Sequence, residues 1–318
     1  MTVTAGGGGK MCQMFALTSG AQPIEATFWL LDAPDSERAR TSRSPDGAGI
    51  ATFAPDGTPR VIKQPITERA GAEFAHQPRT VVSSTFIAHV RHASTGRANL
   101  ANTHPFQYGN RVFAHNGVIE DLGRLDAHLG NDRALVQGDT DSERYFALIN
   151  REIAAADGDV GSGIVAAARW IAANLPLYSI NMVMATADEL WALRYPDTNR
   201  LYALCREPGG RHQRHLDHAS PFSEIRARSF DLADRPAVAV ESERMDEDPS
   251  WRLMASGELL HVAPDLTVTS RVVLAIPPAH QLSLDDLRPE AALSQTINVS
   301  PADVDADVEV EVESAATA

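Results

Sequence analysis

From Cys12 to about Leu274 the apolar residues fall into short, frequent segments, many of them β-branched, and this rhythm constrains the fold more than any other feature. Thr80-Val81-Val82-Ser83-Ser84-Thr85-Phe86-Ile87-Ala88-His89-Val90 and Ile180-Asn181-Met182-Val183-Met184-Ala185 read as strands, since β-branched and aromatic side chains suit a pleated, half-buried surface. Further strands are expected over 190–194, 201–204, 236–240, 251–255 and 259–262, many separated by tight polar turns. Helical spacing is rarer. Leu122, Leu125 and Leu129 recur at three- and four-residue intervals before Gly130, Phe146, Ile149 and Ile153 do so after Asp141, and 163–174 is a third candidate. Strands therefore dominate, with helices left to cover outer faces. That is an α+β architecture of layered sheets with helical flanks, and periodicity leaves the strand order open.

The two ends differ from the middle. Residues 1–11 hold four consecutive glycines and nothing that packs, so they are read as a disordered leader or a mis-assigned start. Residues 12–287 are expected to form the folded domain. From 288 to 318 apolar density collapses into an acidic stretch, and six like charges on one face of its Asp/Glu–Val alternation favour a disordered tail over a strand. Within the domain, 206–228 contains Pro208-Gly209-Gly210 and three histidines, His212, His215 and His218, and is expected to be a long solvated loop.

Composition narrows the function classes. A net charge of −14 repels phosphate backbones and anionic lipid, which argues against nucleic acid or a membrane surface as partner. No stretch reaches the roughly 18 apolar residues of a membrane helix and no secretory signal is present, so a cytoplasmic location is the expectation. Two cysteines, Cys12 and Cys205, are too few for a disulfide framework. Cys205 is expected to be a small buried group within a strand.

Four segments carry chemistry: Met11-Cys12, Arg91-His92-Ala93-Ser94-Thr95-Gly96, His115-Asn116-Gly117 and Gly138-Asp139-Thr140-Asp141-Ser142-Glu143. Each has a plain structural explanation as well. Were Met11 an initiator that is removed, Cys12 would carry a free α-amine beside its own thiol, and such an amine, with a reference pKa of about 7.7–8.0, can take the thiol proton near neutrality. Asn116-Gly117 is the commonest two-residue hairpin turn, or else two oxyanion donors. Thr140 to Glu143 has capping-box spacing, and a half-exposed Asp141 at a helix start could also receive a substrate ammonium. Arg91 follows a strand-like run and could grip a carboxylate in a bidentate pair or form a surface ion pair.

In this order, and with Asn102-Thr103-His104-Pro105-Phe106 and Asp46-Gly47-Ala48-Gly49-Ile50, the segments resemble the glutaminase domain of class-II glutamine amidotransferases, the N-terminal-nucleophile hydrolases. Farther on, Glu241-Ser242-Glu243, Trp251 and Gly257-Glu258-Leu259-Leu260 resemble the closing half of its small stand-alone branch, which includes the γ-glutamyl amidohydrolase of ergothioneine biosynthesis. The resemblance implies a four-layer αββα sandwich. It implies Cys12 as nucleophile with its α-amine as base, and Asn116 and Gly117 as oxyanion hole. Arg91 would bind the substrate α-carboxylate and Asp141 the α-ammonium, with His92 and Ser94 lining the same loop. The small-molecule partner would be glutamine or another γ-glutamyl compound. No metal or cofactor is needed.

Three alternatives stand beside this one. Ammonia could be passed to a separate synthetase subunit. The chain could be a non-catalytic γ-glutamyl-binding module if Cys12 keeps its preceding peptide bond. His89, His92, His104 and His115 could hold a hydrolytic metal, although His89 and His92 would face opposite sides of a strand and no zinc signature accompanies them.

Overall fold

The computed structural model describes residues 12–30, 45–66, 73, 76–92, 96–219 and 224–295. The leader expected over 1–11 and the tail from 296 onward lie outside these residues.

Two antiparallel sheets form the centre. The first has seven strands in the order β15 (Arg252–Leu253), β11 (Tyr202–Arg206), β14 (Ala237–Glu241), β1 (Gln13–Thr18), β6 (Thr85–Arg91), β3 (Gly47–Phe53) and β4 (Pro59–Pro65). The second has six, β17 (Val268–Val272), β16 (Glu258–Val262), β10 (Leu190–Arg194), β9 (Leu177–Ala185), β8 (Arg111–Ile119) and β7 (Phe106–Tyr108). Met14, Ala16 and Ile87 of the first sheet meet Ala114, Val183 and Leu260 of the second in a dry layer. Alternate residues of β1, Phe15 and Leu17, point the other way into a second core. Both faces of β1 are thus buried, and its centre, Met14 to Leu17, is continuously apolar rather than alternating.

The outer face of the six-stranded sheet is covered by α2 (Asp141–Ala155) and α3 (Val160–Asn174), whose Phe146, Ile149, Ile164 and Ile171 pack on Phe113, Met182 and Met184. A short α1 (Leu122–Leu129) adds Leu125 and Leu129 to the same core. All three helices lie where the apolar spacing placed them. On the outer face of the seven-stranded sheet the described residues form a four-stranded sheet, β12 (Leu216–Ala219), β13 (Arg226–Ser229), β2 (Ile24–Trp29) and β5 (Arg79–Ser83). The α+β class and the stacked central sheets are those expected, and a sheet supplies this further covering layer.

Several local expectations change. The run from Thr80 to Val90 is two strands: at Ser84 the chain leaves the four-stranded sheet and enters the seven-stranded one, with the Thr85 hydroxyl donating to the Ala187 carbonyl at 3.0 Å. The stretch 206–228 is not one long loop, because β12 and β13 pair within it. Cys205 does lie in a strand, yet it is exposed. The domain also continues past 287, since Pro289–Gln295 forms α4 with Ala291, Ser294 and Gln295 buried.

Candidate functional site

Cys12 sits just before β1, which pairs with β6 on one side and β14 on the other. That pairing carries Cys12 to the end of β6, where Arg91 and His92 lie. The Cys12 thiol faces the His92 backbone, 3.2 Å from both its N–H, which donates to Sγ, and its carbonyl, which accepts from it. Burial pushes the thiol up to about 11, with the His92 N–H and the Arg91 charge only partly offsetting it. A thiol in that state stays protonated at neutral pH, and a nucleophilic role needs a base at hand.

Asn116 comes from the facing sheet. It lies within β8, paired with Asn181 on β9, so the hairpin-turn reading of Asn116-Gly117 is replaced by a central strand. Its side-chain N–H donates to the Cys12 carbonyl at 2.7 Å, and its Oδ1 lies 2.9 Å from Nε2 of His89 on β6. With the Asn116 amide nitrogen committed to Cys12, Oδ1 must accept and His89 must carry its proton on Nε2. Complete burial pushes His89 down to about 3, which keeps it neutral and a fixed donor. Gly117 has a separate cause. A Cβ there would collide with the Ser179 carbonyl oxygen across the strand pair, so close approach of β9 requires glycine.

The His104 ring stacks on His89 with centroids 4.2 Å apart. The loop before β7 reaches this place because Gly49 lacks a side chain: a Cβ there would strike the His104 carbonyl. The two rings, His115 bonded through Nδ1 to Ser142 Oγ at 3.0 Å, and His92 paired with Glu224 at 2.8 Å make separate arrangements. Among the described residues no three potential ligands converge on one metal position.

Asp141 opens α2, and Thr140 caps the helix by accepting from the Glu143 N–H at 3.2 Å. Only half of the capping box forms, because the Glu143 carboxylate turns back to the N–H groups of Gln137 and Gly138, at 3.0 and 2.6 Å. Asp141 is buried rather than half exposed. Its Oδ2 accepts from the Ile119 N–H at 2.9 Å, which ties the helix start to β8 two residues beyond Gly117.

The structure thus brings Cys12, His92 and Asn116 into contact, with the Arg91 charge beside the thiol, Gly117 adjoining along β8 and Asp141 bonded to the same strand. Ser94 lies outside the described residues. Sequence reasoning missed Glu224, the partner of His92, and the role of Ser242, whose hydroxyl accepts from the Met14 N–H at 3.1 Å and anchors β1. It also missed a buried charge cluster. His218, expected in a solvated loop, is buried between Glu241 Oε1 at 3.0 Å and Asp246 Oδ2 at 3.2 Å. Burial opposes its charge, yet the two carboxylates outweigh burial and lift it to about 9. Only the Glu241-Ser242-Glu243 segment hinted at these contacts, because they span tens to hundreds of residues.

In this two-sheet α+β sandwich a cysteine at the head of a central strand faces an asparagine from the opposite sheet. Residues 11–275 match the class-II glutamine amidotransferases, and the chain belongs to that family of enzymes. It is 29% identical over 265 residues to the uncharacterized protein MJ1515 of Methanocaldococcus jannaschii, covering 79% of this chain and 73% of that protein. A shorter stretch of 112 residues is 34% identical to glutamine–fructose-6-phosphate aminotransferase (isomerizing) of Caulobacter vibrioides, covering 35% of this chain and only 18% of that protein. The fold resembles a "predicted glutamine amidotransferase" of Pseudomonas aeruginosa, with a TM-score of 0.60 and 18% identity over 82% of this chain and all of the other.

Proposed function

We propose that this enzyme hydrolyses the γ-amide of glutamine or a γ-glutamyl compound through a thioester on Cys12. The observation that carries the proposal is the convergence of Cys12 and Asn116 from facing sheets, with the amide nitrogen of Asn116 2.7 Å from the Cys12 carbonyl and its orientation held by His89. Preorganised donors at the nucleophile are what stabilise the oxyanion of acyl transfer. Gly117 supplies the second donor through its backbone N–H, Arg91 receives the α-carboxylate and Asp141 the α-ammonium, with His92 and Ser94 lining the site.

The thiol proton passes to the α-amine of Cys12 once the bond from Met11 is gone, and the sulfur adds to the γ-carbonyl. Collapse of the adduct breaks the C–N bond, the amine departs with the proton, and a γ-glutamyl thioester remains. Water, deprotonated by the α-amine of Cys12, adds to the thioester and releases glutamate, the proton returning to restore the thiol. The buried thiol, held near 11, supports the need for so close a base.

The same value favours a second reading for any chain in which residues 1–11 stay attached: a γ-glutamyl-binding module, since the base is then locked in a peptide bond. Intact-mass measurement of the protein made from its own gene, with a glutaminase assay, separates the two. A trimmed chain should release glutamate, and Cys12→Ala should abolish that release while Cys205→Ala preserves it. Hydrolysis by an untrimmed chain, or equal loss from both cysteines, would overturn the mechanism.

A further inference from the structure

A cleft of about 530 Å³ opens at the edge of the sandwich, between β4, the loop leading into β7, and the start of α2. None of Cys12, Arg91, His92, Asn116, Gly117 or Asp141 lines it. Phe106 and Phe146 lie inside it beside Gln64, Gln107, Gln137 and Asn150, so its walls are mixed, while its rim gathers Ile62, Leu100 and Tyr108, which are 42%, 54% and 43% exposed. Single exposed apolar side chains are ordinary, but three around one cavity form a patch that water covers at a cost.

Among the described residues that line the cleft, Lys63 is the one cation. Its ammonium donates to the Thr103 carbonyl at 2.7 Å and lies 5.0 Å from the centre of the Phe106 ring. An ammonium has three N–H donors, and these two contacts use one of them, the ring face giving only diffuse attraction. Glu143 also lines the cleft, but its two carboxylate oxygens accept from the backbone of Gln137 and Gly138. Burial accordingly pushes Lys63 down to about 8, with Glu143 only partly opposing. The cation is half-buried, with one hydrogen-bond acceptor among the described residues.

We propose that this cleft binds a small organic monocarboxylic acid with an apolar or aromatic body, its carboxylate on Lys63 and its body between Phe106, Tyr108 and Leu100. A carboxylate supplies the missing acceptor and counter-charge as a charge-assisted hydrogen bond. The nearby Glu143 charge and the absence of any arginine among the described lining residues disfavour phosphate and other multiply charged anions. The volume lies within the range of small-molecule sites, about 300–1,000 Å³. The site is separate from the amide chemistry but touches its scaffold, because the residue after Thr103 is His104, which stacks on His89.

The test uses 3-phenylpropionate and its neutral isostere 3-phenylpropionamide as probes, titrated calorimetrically into the full chain. The acid should bind at least about tenfold more tightly than the amide, as expected for one charged hydrogen bond. Lys63→Met should erase that preference and Lys63→Arg should keep it. Tyr108→Ala, at the exposed rim where folding is not at stake, should weaken both probes. Equal affinity for acid and amide, no binding of the acid up to its solubility limit, or acid binding unchanged by both Lys63→Met and Tyr108→Ala would overturn the proposal. So would displacement of the acid by saturating glutamine in the Cys12→Ala protein, which would place it in the γ-glutamyl site instead.

Discussion

At the scale of single residues, the site depends on groups that hold other groups. His89 never meets the thiol, yet its Nε2–H sets which end of the Asn116 amide faces Cys12. His89→Phe keeps a ring of similar size for His104 to stack on and removes the donor, leaving Asn116 free to flip. Glutamate release should then fall about 10- to 10²-fold in kcat with KM nearly unchanged, below the 10²–10³ expected for losing an oxyanion donor outright. His89→Gln, whose amide can still donate, should recover part of the loss. Alkylation of Cys12 by iodoacetamide needs no oxyanion hole and should be unaffected, so a parallel fall in alkylation would show that His89 supports the fold rather than Asn116.

At the scale of elements, the start of α2 joins helix capping to site construction. Thr140 caps the helix, Asp141 bonds to β8, and Glu143 closes the preceding turn. Thr140→Ala leaves an N–H without its cap and should cost about 1 kcal/mol, read from the denaturant midpoint. Gly49→Ala on β3 should cost more activity than stability, because the added methyl pushes the His104 carbonyl and moves the ring that rests on His89. A Gly49→Ala enzyme with unchanged kcat would show that the loop carrying His104 does not transmit to Asn116. The capping residues were legible from their spacing in the chain. The loop's approach was not, since nothing local to Gly49 records what lies across from it.

At the scale of the whole molecule, the centre of the sandwich holds imidazoles that stay neutral. Burial pushes His89 down to about 3, His104 well below its ordinary range, and His115 down as well, the last partly opposed by Asp141. Below pH 6.5 the unfolded chain takes up protons at these positions that the folded one refuses, so stability falls as pH falls. Glu241, pushed up to about 7 by burial, acts the opposite way over part of the window and offsets one of the three. Between pH 6.5 and 5 the unfolding free energy should drop by roughly 1–2 kcal/mol per pH unit, checked by urea titrations across that range. His218 does not enter there. Its folded value of about 9 exceeds the unfolded one, so its contribution is complete below 6.5 and is lost as pH rises through 9. A flat profile from 6.5 to 5 would mean that the three imidazoles are solvated.

The chain's own order determined a good deal: the strand-rich, helix-flanked class, the positions of α1, α2 and α3, the cap at Thr140, and a set of short segments whose joint resemblance picked out one family. These follow from interactions between residues a few positions apart, where periodicity and turn chemistry act directly. Only the tertiary structure decided that 80–90 splits between two sheets at Ser84, that Asn116-Gly117 lies mid-strand, that Asp141 is buried against Ile119, and that Glu224, Ser242 and His218 belong to the buried framework. Each of these depends on what a strand or loop meets from far along the chain, and burial, proton affinity and the need for a glycine are properties of that meeting rather than of the residue.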